Sequence, residues 1–259
     1  MVLLNPVTDQ LKSLRLTGML KGFEEQMQTQ LYDDLSFFDR MAHLLERESL
    51  ERTNAAMTSR LGKARLREQA EIEDVRVSSS RGIDKIQLRA LASGDWIRAK
   101  TNVIITGASG CGKTYLASAL GRRACVLGYT ARYYRASSVL ADLEFARSEG
   151  RLQRLIRQQA KIDVFIIDDF CLSALTEAEE KDLFELIEER YRTKATVFVS
   201  QNPINTWHGL MPNPAIADAI LDRIVHGATR IELKGGSRRK MKDESPELDG
   251  EREPEPSIS

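Results

Sequence analysis

The residues of this chain most able to do chemistry form a glycine-rich run between an apolar segment, 102–106, and a helical one. The run ends in Gly112-Lys113-Thr114. Glycines let the backbone curl so that successive N–H groups point at phosphate oxygens, and a helix beginning near Lys113 adds the positive end of its dipole. The pattern predicts a site for ATP and Mg2+, with Lys113 on the β- and γ-phosphates and Thr114 on the metal. The predicted phosphate-binding residues are Gly107, Ala108, Ser109, Gly110, Cys111, Gly112, Lys113 and Thr114.

Two acidic residues, Asp168 and Asp169, directly follow the apolar segment 164–167. A strand that delivers a carboxylate to its C-terminal end is the magnesium-side partner of such a phosphate-binding loop. We expect Asp168 to hold Mg2+, directly or through water, and Asp169 to orient or deprotonate the attacking water. The alternative is that both residues only cap a strand. In ATPases that hydrolyse ATP, the second of these two acidic positions is more often Glu, which has a longer side chain than Asp. A second alternative is therefore a protein that binds ATP as a switch and scarcely hydrolyses it.

A third polar strand end follows the segment 196–199, where the sequence reads Ser200-Gln201-Asn202. If this strand lies between the other two, a polar side chain at its end can contact the γ-phosphate or the lytic water. Ser200 is therefore a candidate catalytic residue. The alternative is a plain turn, since Ser, Asn and Pro are ordinary turn residues.

Short β-branched runs alternate with helical stretches through the middle of the chain, which predicts an α/β fold with a central parallel sheet covered on both faces. The helix after Leu175 has a clear start signal, with Thr176 as its N-cap and Glu179 three residues on. The predicted strands are 102–106, 131–134, 164–167, 196–199 and 229–233.

The chain before residue 70 has the apolar three- and four-residue spacing of helices, weakened at Gly18 and Gly22. It holds too little apolar material for a large core of its own. We therefore predict a small all-helical module that binds a partner at 1–70 and a charged and serine-rich linker at 71–82. The ATPase domain is predicted at 83–235, and 236–259, rich in Glu, Pro and Ser, is predicted to be disordered.

Four arginines lie at steps of four, three and three residues: Arg147, Arg151, Arg154 and Arg157. On one helix they would form a single basic stripe able to contact DNA phosphates without reading sequence. The alternative is an ordinary solvated helix face. Upstream, Tyr133 and Tyr134 are adjacent in a predicted strand, so one of them must face inward and at most one is free to stack on a base.

The composition sets no bias toward nucleic acid, because 38 basic residues balance 38 acidic ones among 259. Three cysteines without paired or metal-type spacing are typical of reduced thiols in the cytosol. Neither a signal peptide nor an apolar run of transmembrane length is recognisable. We expect a cytoplasmic protein that does not enter a membrane.

The phosphate-binding loop, the Asp-Asp strand and the polar strand end, in this order, resemble the AAA+ ATPases of the branch that holds DnaA initiators and DnaC-type helicase loaders. Further short motifs make the chain similar to the IstB-like helper ATPases of two-gene insertion sequences. These are LRLTGMLKGFEEQ at 14–26, Gly94-Asp95-Trp96-Ile97, Trp207-His208, the run 217–226, Arg230-Ile231-Glu232-Leu233 and Gly236-Ser237-x-Arg239.

The resemblance implies a homo-oligomer that assembles on duplex DNA with ATP at the subunit junctions. It also implies that Arg223 reaches the γ-phosphate in a neighbour's site and stabilises the transition state there. From the residues alone, Asp222 and Arg223 could equally form a local surface ion pair. The implied function is ATP-dependent regulation of DNA transposition through recruitment or stimulation of a transposase.

Two rival functions use the same loop. A DnaC-like loader of a replicative helicase has the same ATPase domain. The protein that binds the helical module therefore distinguishes a helicase loader from a transposition helper. A small-molecule kinase is disfavoured by the Asp168–Asp169 pair and by the lack of an evident substrate lid.

Overall fold

Five strands form the sheet: β1 (Val103–Gly107), β2 (Ala131–Arg135), β3 (Val164–Asp168), β4 (Ala195–Ser200) and β5 (Thr229–Leu233). They are all parallel, in the order β2-β3-β4-β1-β5. The computed structural model describes residues 6–235. All five predicted strands are present, and β4 lies between β3 and β1, as its predicted role required. β3 and β4 are buried along their whole length because helices cover both faces.

Successive strand residues point to opposite faces of the sheet and build two hydrophobic cores. Ile105 packs in the core on one face, and its neighbour Ile104 packs in the core on the other. The expected capping box of Thr176 and Glu179 is present at the start of the helix Glu177–Arg190. The helices of this part are α4 (Lys85–Ala92), α5 (Asp95–Arg98), α6 (Lys113–Val126), α7 (Ala136–Ser148), α8 (Leu152–Ala160), α9 (Glu177–Arg190) and α10 (Pro214–Val225).

The N-terminal part is helical, with α1 (Pro6–Ser13), α2 (Thr17–Gln28) and α3 (Phe37–Ala64). We expected Gly18 and Gly22 to weaken the first long helix, but they are where α2 packs on α3. A Cβ at Gly18 would lie 2.5 Å from the backbone oxygen of Arg47, so only glycine permits this approach. The carboxylate of Glu48 then accepts hydrogen bonds from the backbone N–H groups of Gly18 at 2.8 Å and Met19 at 3.1 Å.

The C-terminal end of α3 packs into the core of the sheet. Ala64, Ala70 and Ile72 are buried in the same cluster as the strands, and Leu66 packs at Gly121 of α6. Residue 72 therefore lies in the core although it falls within the predicted linker at 71–82. The domain limits stay a prediction, and the tail predicted at 236–259 lies outside the described residues. None of the helices within 6–235 is long and apolar enough to cross a membrane.

Candidate nucleotide-binding site

The glycine-rich loop connects the C-terminal end of β1 to the first residue of α6. Gly107 has φ +145° and Gly112 has φ +101°, a region of backbone conformation that other residues rarely adopt. A Cβ at Gly107 would also lie 2.2 Å from the backbone oxygen of Leu233 on β5. The two glycines therefore let the loop curl tightly between β1 and α6, the predicted arrangement for holding phosphate oxygens.

Lys113 is the first residue of α6, and its side chain folds back over the loop. Its ammonium group donates hydrogen bonds to the backbone oxygens of Gly107 and Ala108, both at 2.8 Å. The residue is only 7% exposed. The positive charge is thus fixed inside the curl, beside the N-terminal end of α6, where two carbonyl groups now satisfy it and phosphate oxygens can replace them.

Asp168, at the end of β3, is 3% exposed and accepts three hydrogen bonds. Its Oδ2 accepts a hydrogen bond from the hydroxyl of Thr114 at 2.7 Å and one from the hydroxyl of Tyr133 at 2.6 Å. Its Oδ1 accepts one from the backbone N–H of Asp169 at 2.8 Å. The structure thus brings together the two predicted metal ligands, Thr114 and Asp168. Burial, together with the neighbouring carboxylate of Asp168, raises the pKa of Tyr133 well above its usual value, so this hydroxyl stays a donor.

Asp169 begins a loop whose backbone is held in an uncommon conformation. Its φ is +58°, in the left-handed region that non-glycine residues rarely occupy and that is concentrated at functional sites. The side chain of Gln201, at the end of β4, approaches it with 3.4 Å between Nε2 and Oδ1. Asp169 is half-buried, beside the Asp168 carboxylate.

Ser200 is placed differently from what we expected of a residue that contacts phosphate. It is completely buried, and its hydroxyl donates to the backbone oxygen of Phe170 at 2.6 Å. The same hydroxyl accepts from the backbone N–H of Asn202 at 3.1 Å. Ser200 therefore fastens the loop after Asp169, and Gln201 is the residue of this strand end whose side chain reaches the acidic pair.

Arg223 lies on α10, away from the phosphate-binding loop of its own chain. Its guanidinium is hydrogen-bonded to Glu188 of α9 and lies 5.2 Å from the ring centroid of Phe184. Its backbone oxygen accepts from Asn102, which precedes β1, whereas the loop follows β1. The ion pair considered with Asp222 is thus formed with Glu188 instead.

Residues 9–245 match the family described as IstB-like ATP binding protein. The chain belongs to this family. Among its relatives, the insertion sequence ATP-binding protein y4pL of Sinorhizobium fredii is 42% identical over 239 residues, covering 92% of this chain and 98% of the relative. An ATP-binding protein in an insertion sequence of Mycobacterium tuberculosis is 34% identical, covering 90% of this chain and 93% of the relative.

Solved structures establish the fold of this IstB-like chain as that of AAA+ P-loop domains. The crystal structure of DnaI superimposes with a TM-score of 0.55 at 19% identity, over 66% of this chain and 91% of that one. The replication initiator DnaA bound to AMPPCP and single-stranded DNA gives a TM-score of 0.56 at 18% identity, over 72% and 59% of the two chains.

The four arginines of the predicted basic stripe do not lie on one helix. Gly150, with φ +66°, lies in the break between α7 and α8, so Arg147 is in the last turn of α7 and Arg151 precedes α8. Arg147 is paired with the buried carboxylate of Asp182 at 3.2 Å. Arg151 is paired with Glu149. Only Arg154 and Arg157 remain together, exposed on α8.

Sequence reasoning missed Tyr133 as a member of this site. Strand alternation predicts correctly that one of the two adjacent tyrosines faces inward, and Tyr133 is 8% exposed. Its contact with Asp168 depends on β2 lying next to β3, which no local pattern reveals.

Proposed function

We propose that this IstB-like chain is an ATPase that assembles on DNA and recruits or stimulates the transposase of its insertion sequence. The observation that carries the proposal is the contact between Thr114 and Asp168, directly beside a loop that encloses the Lys113 ammonium. Membership of an ATP-binding family and relatives from insertion sequences support it.

The residues of the site fit ATP and Mg2+. The Thr114 hydroxyl and the Asp168 carboxylate supply the oxygen ligands that Mg2+ prefers. Thr114 donates its single hydrogen to Asp168, so its oxygen lone pairs are left for a metal. Lys113 exchanges its two carbonyl acceptors for phosphate oxygens. Mg2+, when bound with ATP, neutralises charge on the β- and γ-phosphate oxygens.

Hydrolysis is assigned to Asp169, with Gln201 in the polar role that we had predicted for Ser200. Asp169 would accept a proton from the attacking water or orient it. Its contact with the Gln201 amide, together with its half-buried position beside Asp168, supports this assignment.

The test separates binding from hydrolysis. Lys113→Ala removes the charge that faces the phosphates and is expected to abolish ATP binding, whereas Asp169→Asn is expected to bind ATP and Mg2+ but not release phosphate. Fluorescent-nucleotide binding and phosphate release measure the two steps. Lys181→Ala, at an exposed position of α9, is the matched control. Normal phosphate release by Asp169→Asn would remove the role given to that residue.

Arg223 is proposed to act in a neighbour's site within the oligomer. Its position beside the residue that precedes β1, whereas its own loop follows β1, supports this. Arg223→Ala should lower turnover by about 10³. Mixing it with inactive Lys113→Ala should restore part of the activity, because some junctions then pair an intact loop with an intact arginine. Full activity of Arg223→Ala alone would contradict the proposal.

DNA binding is proposed for the exposed face of α8, through Arg154 and Arg157. Within residues 6–235 neither forms an ion pair, whereas Arg147 and Arg151 each do. Duplex DNA binding by Arg154→Ala/Arg157→Ala, titrated with ATP at several salt concentrations, should weaken equally on all sequences. The slope of log affinity against log salt should fall by about one per arginine. Lys181→Ala, which removes one exposed positive charge from α9, is the control. An unchanged slope in the double variant would move the DNA surface elsewhere.

Partner capture is proposed for the turn between α2 and α3. Phe37 and Phe38 at the start of α3 are 69% and 82% exposed, and Leu31 before them is 82% exposed. Large exposed apolar patches mark interaction sites. Phe37→Ser/Phe38→Ser should keep ATPase activity and lose capture of the transposase in a pull-down with the purified full chain. Capture of a replicative helicase instead would favour the DnaC-like alternative.

A further inference from the structure

Tyr133 reaches the metal-side carboxylate because of the register of two parallel strands. Tyr133 on β2 is paired with Ile166 on β3. Asp168 lies two residues beyond Ile166 and therefore points to the same face of the sheet. That face is the one on which α6 packs, since Ile166 contacts Gly121 of that helix. The tyrosine hydroxyl thus meets Asp168 diagonally, at 2.6 Å, on the side where Thr114 lies in the first turn of α6.

The neighbouring Tyr134 provides a comparison within the same strand. Its ring packs on Phe165, with 5.1 Å between the ring centroids, on the opposite face of the sheet. Its hydroxyl accepts a hydrogen bond from the side chain of Gln159 at 3.0 Å. The two tyrosines therefore differ in one respect that matters here, which is contact with Asp168.

The hydrogen bond from Tyr133 constrains how the Asp168 carboxylate can rotate. An ionised carboxylate only accepts hydrogen bonds, and those from neutral donors to it are short and strong. Tyr133 and Thr114 both donate to Oδ2, and the backbone N–H of Asp169 donates to Oδ1. The Tyr133 ring is itself buried in the core, so its hydroxyl is a fixed point for the carboxylate. The Thr114 side chain is not fixed in this way, because it must also serve the metal.

We propose that Tyr133 is a positioning residue of the nucleotide site, which holds the Asp168 carboxylate against Thr114 in the orientation that serves Mg2+. The inference rests on the proposed ATP and magnesium site. Groups that orient a metal ligand by hydrogen bonds typically contribute 10- to 100-fold to metal affinity or activity. Tyr133 therefore acts through Asp168 and needs no contact with the nucleotide.

The test compares Tyr133→Phe with Tyr134→Phe, each of which removes one hydroxyl and keeps the ring. Binding of a fluorescent ATP analogue is measured over a range of Mg2+ concentrations and in EDTA. For Tyr133→Phe, the Mg2+ concentration at half-maximal binding should rise by about tenfold or more, while the affinity in EDTA stays that of the wild type. Tyr134→Phe should match the wild type in both. Equal shifts in the two variants, or none in Tyr133→Phe, would overturn the proposal.

A double-mutant cycle then asks whether Tyr133 acts through Asp168. If it does, adding Tyr133→Phe to Asp168→Asn should change Mg2+-dependent binding little beyond the single Asp168→Asn variant. Additive effects, or failure of Tyr133→Phe to fold beside a stable Tyr134→Phe, would assign the hydroxyl a purely structural role instead. Wild-type protein without any Mg2+-dependent ATP binding would refute the proposed function itself, which keeps the two failures distinct.

Discussion

Two buried carboxylates, Glu48 in the α2–α3 hairpin and Asp168 at the sheet, differ in what surrounds them. Glu48 is 7% exposed and accepts from two backbone N–H groups while pairing with Arg52 at 2.6 Å. Asp168 is 3% exposed and accepts from two hydroxyl groups and one backbone N–H, with no ion pair among the described residues. One carboxylate faces a cation of its own chain, and the other does not.

The difference separates a structural carboxylate from one available for chemistry. A cation beside Glu48 satisfies its charge, so that residue serves to cap α2 and join it to α3. The hydroxyl partners of Asp168 hold the group in place and leave its negative charge uncompensated. That charge would attract a divalent cation, and the following variants test whether the two roles are separate.

Among the variants that separate these two roles, Asp168→Asn has the largest expected effect. This variant keeps the size of the side chain but removes its charge, so Mg2+-dependent nucleotide affinity should fall by more than the roughly tenfold expected for loss of the orienting Tyr133 hydroxyl. The free energy of unfolding should change little, because the cost of losing one acceptor oxygen is offset by removing a buried charge that no cation compensates. Nucleotide titration and urea denaturation measure the two quantities. A large loss of stability with unchanged Mg2+ dependence would reverse the assignment.

Gly18→Ala should produce the opposite pattern. The added Cβ would lie 2.5 Å from the Arg47 oxygen and 2.6 Å from the Glu48 Cα, and both are backbone atoms that cannot move aside. Overpacking of this kind costs about 1–3 kcal/mol. Hydrogen exchange of the α2 amides should accelerate accordingly, whereas ATP binding should remain that of the wild type. Slow exchange like that of the wild type would mean that α2 and α3 accommodate the added methyl group without loss of stability.

Glu48→Gln should give a pH-dependent loss of stability. The hydrogen bond from Arg52, followed by those from the backbone N–H groups, lowers the pKa of Glu48 from its ordinary value of 4.5. A carboxyl whose pKa is lowered by folding stabilises the protein above its ordinary value and loses that contribution as the pH falls through the lowered one. The stability gap between wild type and variant should therefore be full at pH 7 and close below pH 4.5. A difference in stability between wild type and variant that does not depend on pH would show that the charge of Glu48 does not stabilise the contact between α2 and α3.

Gly62→Ala is the control with the smallest expected effect. No heavy atom lies within 4 Å of a Cβ placed there, although Gly62 is in α3 like the residues that face Gly18. Replacing glycine by alanine in an open helical position should stabilise the protein by about 0.5–1 kcal/mol. A small rise in thermal midpoint checks this. Destabilisation would indicate a contact of α3 that the monomer lacks.

The sequence predicted correctly those elements that depend on residues close together in the chain. The five strands, the capping box at Thr176 and the loop from Gly107 to Thr114 follow from residue type and spacing alone. The prediction that four arginines form one basic stripe was wrong, because their spacing was counted across Gly150, where the helix is interrupted.

Long-range contacts account for the other differences. The low helix propensity of glycine predicted that Gly18 weakens its helix. In the structure, Gly18 instead allows α2 to pack closely on α3. Ser200 and Gln201 are adjacent at one strand end, and the fold of the loop after Asp169 determines which of them is buried. Tyr133 needed the order of the strands, which short windows of sequence do not contain.

The burial of Ala64 fixes the C-terminal end of α3, so a rotation of the helix about that end would displace its other end the most. The helix is anchored against α6 at one end and carries Phe37 and Phe38 at the other. Its 28 residues span about 42 Å at 1.5 Å per residue. A tilt of about 10° at the anchored end would carry the far end about 7 Å. A slight shift of α6, the helix that begins at the phosphate loop, would therefore be amplified into a movement the size of a side chain at the exposed aromatic tip.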